Sequence, residues 1–282
     1  MRSVKSLIAA GAASLLSTAA FAADMAIAPP PPMYAPPPAQ EFGGWYLRGD
    51  IGFSNQQVSK REYYSYPRLL SLQQQSSFDT GGIFGAGVGY QFNNWFRADV
   101  TGQYRGKSNF HGLDLTSYSD TGTVQRGSDT YSASKSEIVV LANVYADLGT
   151  WWCITPFIGA GVGMSRNTIS NFTDIGANGT FAFGTVPGLA YAPSASKWNF
   201  AWALHTGLAY RVTPNMAIEL GYSYLNLGDG VTGSLITKDG VTANQAMTFK
   251  SITSHDIKLG VRYNFDSPQP QPVYAPPIIR KG

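Results

Sequence analysis

Eleven charged residues stand where every second neighbour is apolar: Arg48, Asp50, Arg97, Asp99, Glu137, Asp147, Arg211, Glu219, Asp256, Lys258 and Arg262. Five are cations and six are anions. Alternate strand residues point to opposite sides, so these charges share one side and the apolar residues the other. A charge removed from water must be paired, or it costs several kcal/mol. The near balance therefore predicts a network of ion pairs; an aqueous pore lined by the same charges is the alternative.

The other chemistry-bearing residues are less organised. Arg48-Gly49-Asp50 is an integrin-type tripeptide, but its strand position makes it an interior ion pair. Gly85-Ala-Gly-Val-Gly89 recurs as Gly159-Ala-Gly-Val-Gly163. It lacks the G-x-G-x-x-G spacing and a following helix, so it reads as packing space beside long side chains. His111, His205 and His255 are scattered, with no H-E-x-x-H motif. His255 falls on an apolar face without a Ser–His–acid arrangement. No catalytic residue, metal site or cofactor is expected; haem capture and lipid modification are remote alternatives. Cys153 is the single cysteine, which excludes an internal disulfide and a Cys-based zinc site.

The elements that must carry the charged residues are eight alternating segments: 45–53, 82–92, 95–104, 136–148, 155–164, 198–212, 216–225 and 249–265. In the fourth, Ile138, Val140, Ala142, Val144, Ala146 and Leu148 oppose Glu137, Asn143, Tyr145 and Asp147. No apolar face carries a charge. Connections at 93–94, around 151–152 and at 213–215 are short; those at 54–81, 105–135, 165–197 and 226–248 are long. Short and long strictly alternate, so each kind gathers at one end. Outer-membrane barrels have this asymmetry, with short periplasmic turns and long extracellular loops. The segments match the ~9–11 residues a membrane strand needs. Trp45, Tyr90, Phe92, Trp95, Phe96, Tyr210, Tyr263 and Phe265 fall at the short-turn end, as an interfacial aromatic girdle would.

Composition agrees. Charged residues make up 13% of the chain, against about 25% in average globular domains. Yet mean hydropathy is −0.10, and no run reaches the ~18 apolar residues of a spanning helix. The net charge of +3 is too small to imply a nucleic-acid partner. Residues 1–22 read as a Sec signal peptide, with Arg2 and Lys5 before a short apolar stretch and cleavage expected after Ala22. The proline-rich stretches 23–42 and 266–282 both contain Tyr-Ala-Pro-Pro and read as extended periplasmic tails. They are spacers, or docking segments for peptidoglycan or a periplasmic partner.

The expected fold is all-β: an eight-stranded antiparallel transmembrane barrel over 43–265, with short periplasmic turns, long extracellular loops and Pro-rich tails. The pattern resembles small outer-membrane barrels of the opacity-protein and OmpA-barrel type, in particular the surface-antigen barrels of rhizobial and related alphaproteobacteria. Carrying the resemblance are Gly44-Trp-Tyr-Leu-Arg-Gly-Asp-Ile-Gly52, Pro156-Phe-Ile-Gly-Ala-Gly-Val-Gly163, Leu220-Gly-Tyr-Ser-Tyr-Leu225 and Lys258-Leu-Gly-Val-Arg-Tyr-Asn-Phe265. It implies a Gram-negative surface protein serving envelope integrity or host contact, sometimes classed with porins. Expected partners are outer-membrane lipid or lipopolysaccharide, the barrel-assembly machinery and a host surface. Tyr63, Tyr64, Tyr66, Tyr118, Tyr131, Phe172 and Phe181 in the long loops would meet that host surface, or simply sit in hydrated loop.

Overall fold

The computed structural model describes residues 43–62, 69–120, 122–178, 188–242 and 245–265. The signal-peptide site at Ala22, both Pro-rich tails, and Tyr63, Tyr64, Tyr66 and Phe181 lie outside the described residues. Among the described residues there are eleven strands: β1 (Gly44–Glu62), β2 (Leu69–Phe78), β3 (Gly81–Gln91), β4 (Phe96–Asp120), β5 (Thr123–Asp147), β6 (Ile154–Asn178), β7 (Gly188–Ala192), β8 (Ala195–Arg211), β9 (Met216–Val231), β10 (Ile236–Thr237) and β11 (Thr248–Asn264). Eight of them close a ring of antiparallel ladders in the order β1-β3-β4-β5-β6-β8-β9-β11 and back to β1. Closure pairs every ring edge, which a sheet surrounded by lipid requires.

The short turns are set by local chemistry. Between β3 and β4, the Asn93 Oδ1 accepts from the amides of Trp95 and Phe96 at 3.0 and 2.8 Å, an Asx-type turn. Between β5 and β6, Trp152 and Cys153 take φ of 49° and 68°. Trp151 and Ile154 exchange both backbone bonds at 2.9 Å around them. Two consecutive left-handed residues match the twist of the flanking strands, although neither is glycine.

At the other end the chain departs from the expectation of long loops. Residues 54–62, 105–120, 123–135, 165–178 and 226–231 continue the ring strands. The parts expected as loops are largely paired sheet. This extension, the crown, is no longer a closed ring. The β1–β3 ladder ends at Ser54–Gly81 and the β8–β9 ladder at Trp202–Asn226. Beyond these two seams the wall divides into a β1–β11–β9 sheet and a second sheet of β2, β4, β5, β6, the first residues of β8 (195–201), β7 and β10. β2 takes the place of β3 along β4, and β7 the place of β8 along β6.

Burial explains the division. Phe110, Tyr131, Ile169 and Phe172 from one sheet face Leu227, Phe249 and Ile252 from the other in a single buried apolar cluster. Phe110 and Phe249 meet edge to face at 4.9 Å. The seams are bridged by side chains. At the first, Arg61 donates to the Gln75 carbonyl at 3.1 Å and Gln74 to the Arg61 carbonyl at 3.3 Å. At the second, Asn199 donates to the Asp229 carbonyl at 2.7 Å and accepts from its amide at 3.1 Å.

Candidate functional site

The lumen below the crown is the place where charge collects. Along β1 the inward residues run Tyr46, Arg48, Asp50, Gly52, Ser54 and Gln56; along β4 they run Arg97, Asp99, Thr101, Gln103 and Arg105. The outward residues between them, such as Leu47, Ile51, Phe53, Val100 and Tyr104, are exposed and apolar. Glycines on β3 give the long side chains their space. A Cβ at Gly85 would lie 2.6 Å from the Asp50 carboxylate, and one at Gly87 2.7 Å from the Thr101 methyl.

The ion pairs form two layers. Near the short-turn end, Glu219 receives Arg262 at 2.9 Å and Arg97 and Arg48 at 3.5 Å each. Arg97 also holds Asp147 at 3.1 Å, and Arg48 holds Asp99 at 3.1 Å and Asp50 at 3.8 Å. The Tyr46 hydroxyl donates to Asp99 at 3.1 Å, and Asn143 donates to it at 2.7 Å. The Arg97 guanidinium stacks 4.3 Å over the Tyr145 ring, a geometry worth ~2 kcal/mol when water is excluded. In the second layer, Arg105 binds Asp256 and lies 3.6 Å from Glu137, while Lys135 binds Glu137 and donates to Gln56 at 2.8 Å. Lys258 is buried between the layers, in the field of Asp50 and Asp256. His205 bridges Ser223 at 2.8 Å and Asn143 at 3.1 Å.

Ten of the eleven charged residues proposed from sequence face this lumen. Arg211 does not join them. It is exposed beside the β8–β9 turn and makes no ion pair among the described residues. At the last residue of its strand, water solvates the guanidinium and no burial forces it to pair. Arg105 and Lys135, which the sequence reading left in a loop, take part instead. Counting alternate positions outward from Gln103 and Glu137 reaches both. With that exchange the buried set is six cations against six anions.

Little space is left. Between the layers a cavity of about 20 Å³ is lined by Arg48, Asp50, His205, Ser223, Glu219 and Lys258, among others. That is about the room for one water molecule. A cavity of about 280 Å³ opens at the short-turn end, beside Arg211, Pro214, Asn215 and Asn264. Arg262 and Asp147, members of the first ion-pair layer, also line it.

The remaining candidates fall elsewhere. The eight girdle aromatics lie at the short-turn end, in mutual contacts such as Trp45–Tyr90 at 5.4 Å and Phe92–Phe96 at 5.3 Å. Tyr131 and Phe172, expected in long loops that either meet a partner or stay hydrated, are buried in the crown core instead. The reason is that their segments are strands with an apolar side turned inward. His255 lies on the outer face and meets the Tyr222 hydroxyl at 2.7 Å. Cys153 is exposed in its turn. No group of three or more His, Cys, Asp or Glu placed to hold a metal occurs among the described residues.

A closed ring with an apolar exterior and a charged interior defines a transmembrane β-barrel. The profile of the family described as outer membrane protein beta-barrel domain matches residues 8–265, and the chain belongs to that family. Its place is therefore the outer membrane of a Gram-negative cell. Outer membrane protein PagN of Salmonella typhimurium is 30% identical over 234 residues, covering 79% of this chain and 90% of that protein. An uncharacterized protein of Brucella abortus is 27% identical over 249 residues, covering 79% and 85%. A Rickettsia bellii protein named as a candidate adhesin is 28% identical, covering 78% and 87%. Among solved structures, neisserial surface protein A covers 79% of this chain and 97% of its own, with 16% identity and a TM-score of 0.41.

Proposed function

We propose that the chain is a structural and surface-interaction barrel of the outer membrane, with its lumen closed by the ion-pair network. The observation that carries this reading is the filling of the lumen. Six buried cations and six buried anions occupy it, and the cavity between their layers holds about one water molecule. An eight-stranded barrel is just wide enough to be filled by its own side chains. Above the network, the crown core adds a second, apolar obstruction. The short-turn end faces the periplasm, and the crown stands outside the cell. There it offers a large surface of paired strands, consistent with the adhesin-type name of the rickettsial relative. The exposed apolar belt and its girdle contact lipid and lipopolysaccharide. The Pro-rich tails are the parts available to peptidoglycan or a periplasmic partner.

The test is single-channel conductance of the refolded mature protein in planar bilayers, with folding verified by heat-modifiable gel mobility. A folded barrel without reproducible steps is expected. Stable, salt-dependent steps would establish a diffusion channel instead.

A further inference from the structure

All three short turns contribute to the cavity of about 280 Å³ at their end of the barrel: Asn94 from the first, Gly149 and Thr150 from the second, Thr213 and Asn215 from the third. Its volume is at the small end of ligand-sized pockets. Bonds among the turns fix its walls. The hydroxyls of Thr150 and Thr155 meet at 2.6 Å, the Thr213 hydroxyl accepts from the Met216 amide at 3.0 Å, and the Asn215 side chain donates to the Asn264 carbonyl at 2.9 Å. Thr213 keeps its own hydroxyl proton to donate, and so does whichever of Thr150 and Thr155 is the acceptor of that pair.

The charge of the lining is unbalanced. Two guanidiniums, Arg211 and Arg262, face the cavity with one carboxylate, Asp147. That carboxylate is already held by Arg97 at 3.1 Å. Arg262 is only 7% exposed, with its Nε given to Glu219 at 2.9 Å and its Nη1 to Gln91 at 3.0 Å. Its Nη2 makes no hydrogen bond among the described residues. A nearly buried charged donor left unbonded is costly. Arg211 stands at an inward position of β8, two residues beyond buried Ala209. It therefore turns to the mouth of the barrel, away from the lipid headgroups. The buried charges balance without it, so it adds positive charge that nothing in the lining offsets. An unpaired cation beside a buried guanidinium with a free edge is arranged to receive an anion.

We propose that this cavity is a binding site for the free carboxylate end of a peptide. A planar carboxylate matches the forked donors of two guanidiniums. The Asn94 side chain lines the cavity and makes no hydrogen bond among the described residues. It offers a donor and an acceptor together, as an adjoining peptide group requires. Pro214 and Ala217 supply an apolar wall for a small side chain. A phosphate would use the cations but gain nothing from the amide and the apolar wall. The volume admits a chain end and excludes a folded domain. Two sources fit this chemistry: the chain's own terminal carboxylate at Gly282, and a separate peptide in the periplasm. Only the compartment of the second source rests on the orientation proposed above. Closure of the lumen does not enter, and conductance tests that separately.

Amide NMR of the full mature chain in lipid nanodiscs tests it, with the dipeptide acetyl-Ala-Ala as the probe. Saturable shifts are expected at Gly149, Thr213 and Asn215 and not at crown amides such as Gly176. Amidating the probe's carboxyl should weaken binding about ten-fold, as loss of a charge-assisted hydrogen bond does. Arg211→Gln should weaken it by a similar factor. Arg166→Gln makes the same change of charge at an exposed position of β6 and should leave binding unaltered. Heat-modifiable mobility verifies that both variants fold. A chain amidated at Gly282 separates the two sources. Tighter probe binding by that chain means that its own terminus competes for the site; equal binding assigns the site to a separate peptide. Absence of saturable shifts in both the unaltered and the Gly282-amidated chain would overturn the proposal. So would undiminished binding of the amidated probe, undiminished binding by Arg211→Gln, or inorganic phosphate binding as tightly as the dipeptide.

Discussion

Within β4, the inward residues from Arg97 to Arg105 are polar or charged, and five positions further Phe110 begins an apolar core. β11 changes in the same way, from Arg262, Lys258, Asp256 and Ser254 to Ile252 and Phe249. The lumen and the crown are thus made by the same strands and filled by opposite chemistry. The cause is the medium outside. Where lipid surrounds the wall, apolar residues face out and the polar ones are left to satisfy one another within. Where water surrounds it, burial of apolar surface again drives the interior. Lipid therefore leaves a cylinder packed with directional ion pairs, while water lets the wall divide into two sheets over a dense core.

The sharpest way to break the lumen half of this comparison is to remove its central anion. Glu219→Leu leaves Arg48, Arg97 and Arg262 without their shared carboxylate. Loss of one partner from a buried network costs about 3–5 kcal/mol. Urea unfolding in lipid vesicles, followed by tryptophan fluorescence, should show a loss of that size with the crown still attached. An unchanged midpoint would mean that water screens the network, and the closed-lumen reading would fail with it.

In the crown the matching variant is Phe249→Ala. It removes a fully buried ring in contact with Phe110, and such truncations cost about 3–5 kcal/mol. The effect should be local. Limited proteolysis should cut within the crown strands while heat-modifiable mobility of the barrel is retained. Joint loss of both would show that crown and lumen form one cooperative unit. A smaller effect is expected from Arg61→Met combined with Asp114→Leu. That pair is buried in the crown beneath Tyr131, and apolar replacement of a buried pair is often neutral within about 1 kcal/mol. Either single substitution should destabilise more than the double, and a simply additive result would deny the coupling. Arg211→Gln, outside the network, should leave stability within about 0.5 kcal/mol.

The same inversion of chemistry decides what could be read from the sequence. The membrane parts of the ring strands were legible because apolar residues alternate over them with one phase. Beyond Ile138, β5 presents Lys135, then Ala133 and Tyr131, and its register shifts between Ser132 and Ser134. The apolar residues there are on the inward side, so the alternation changes phase and the strand resembles a polar loop. Shifts between Arg105 and Ser108 on β4 and between Phe249 and Ile252 on β11 have the same effect. Lys135 and Arg105 were hidden for this reason, as was the burial of Tyr131 and Phe172. Arg211 erred the other way, because alternation gives the side a residue faces but not the depth at which it stops being buried.

The two seams of the crown should respond to acid with opposite sign, although the effects are small. At the β8–β9 seam, burial of the Asp229 carboxyl favours its protonated form. Bonds from the Ser251 amide, Lys197 and Lys250 outweigh that and hold it below the usual carboxylate range. The unfolded chain then binds the proton more readily. The stabilisation is complete above about pH 4 and is lost as pH falls through the depressed value. At the β1–β2 seam, burial pushes the Asp114 carboxyl up despite Arg61, Gln74 and Tyr131. There the folded chain binds the proton more readily, so stability falls as pH rises through the carboxylate range and is regained on acidification. Amide hydrogen exchange in nanodiscs between pH 6 and pH 3.5, corrected for intrinsic rates, reads both. Protection at Gly228 and Ser251 should fall towards pH 3.5 relative to that at Gln75 and Leu113. A change of the same sign at both seams would mean that whole-barrel charge, not the local bridges, governs the crown.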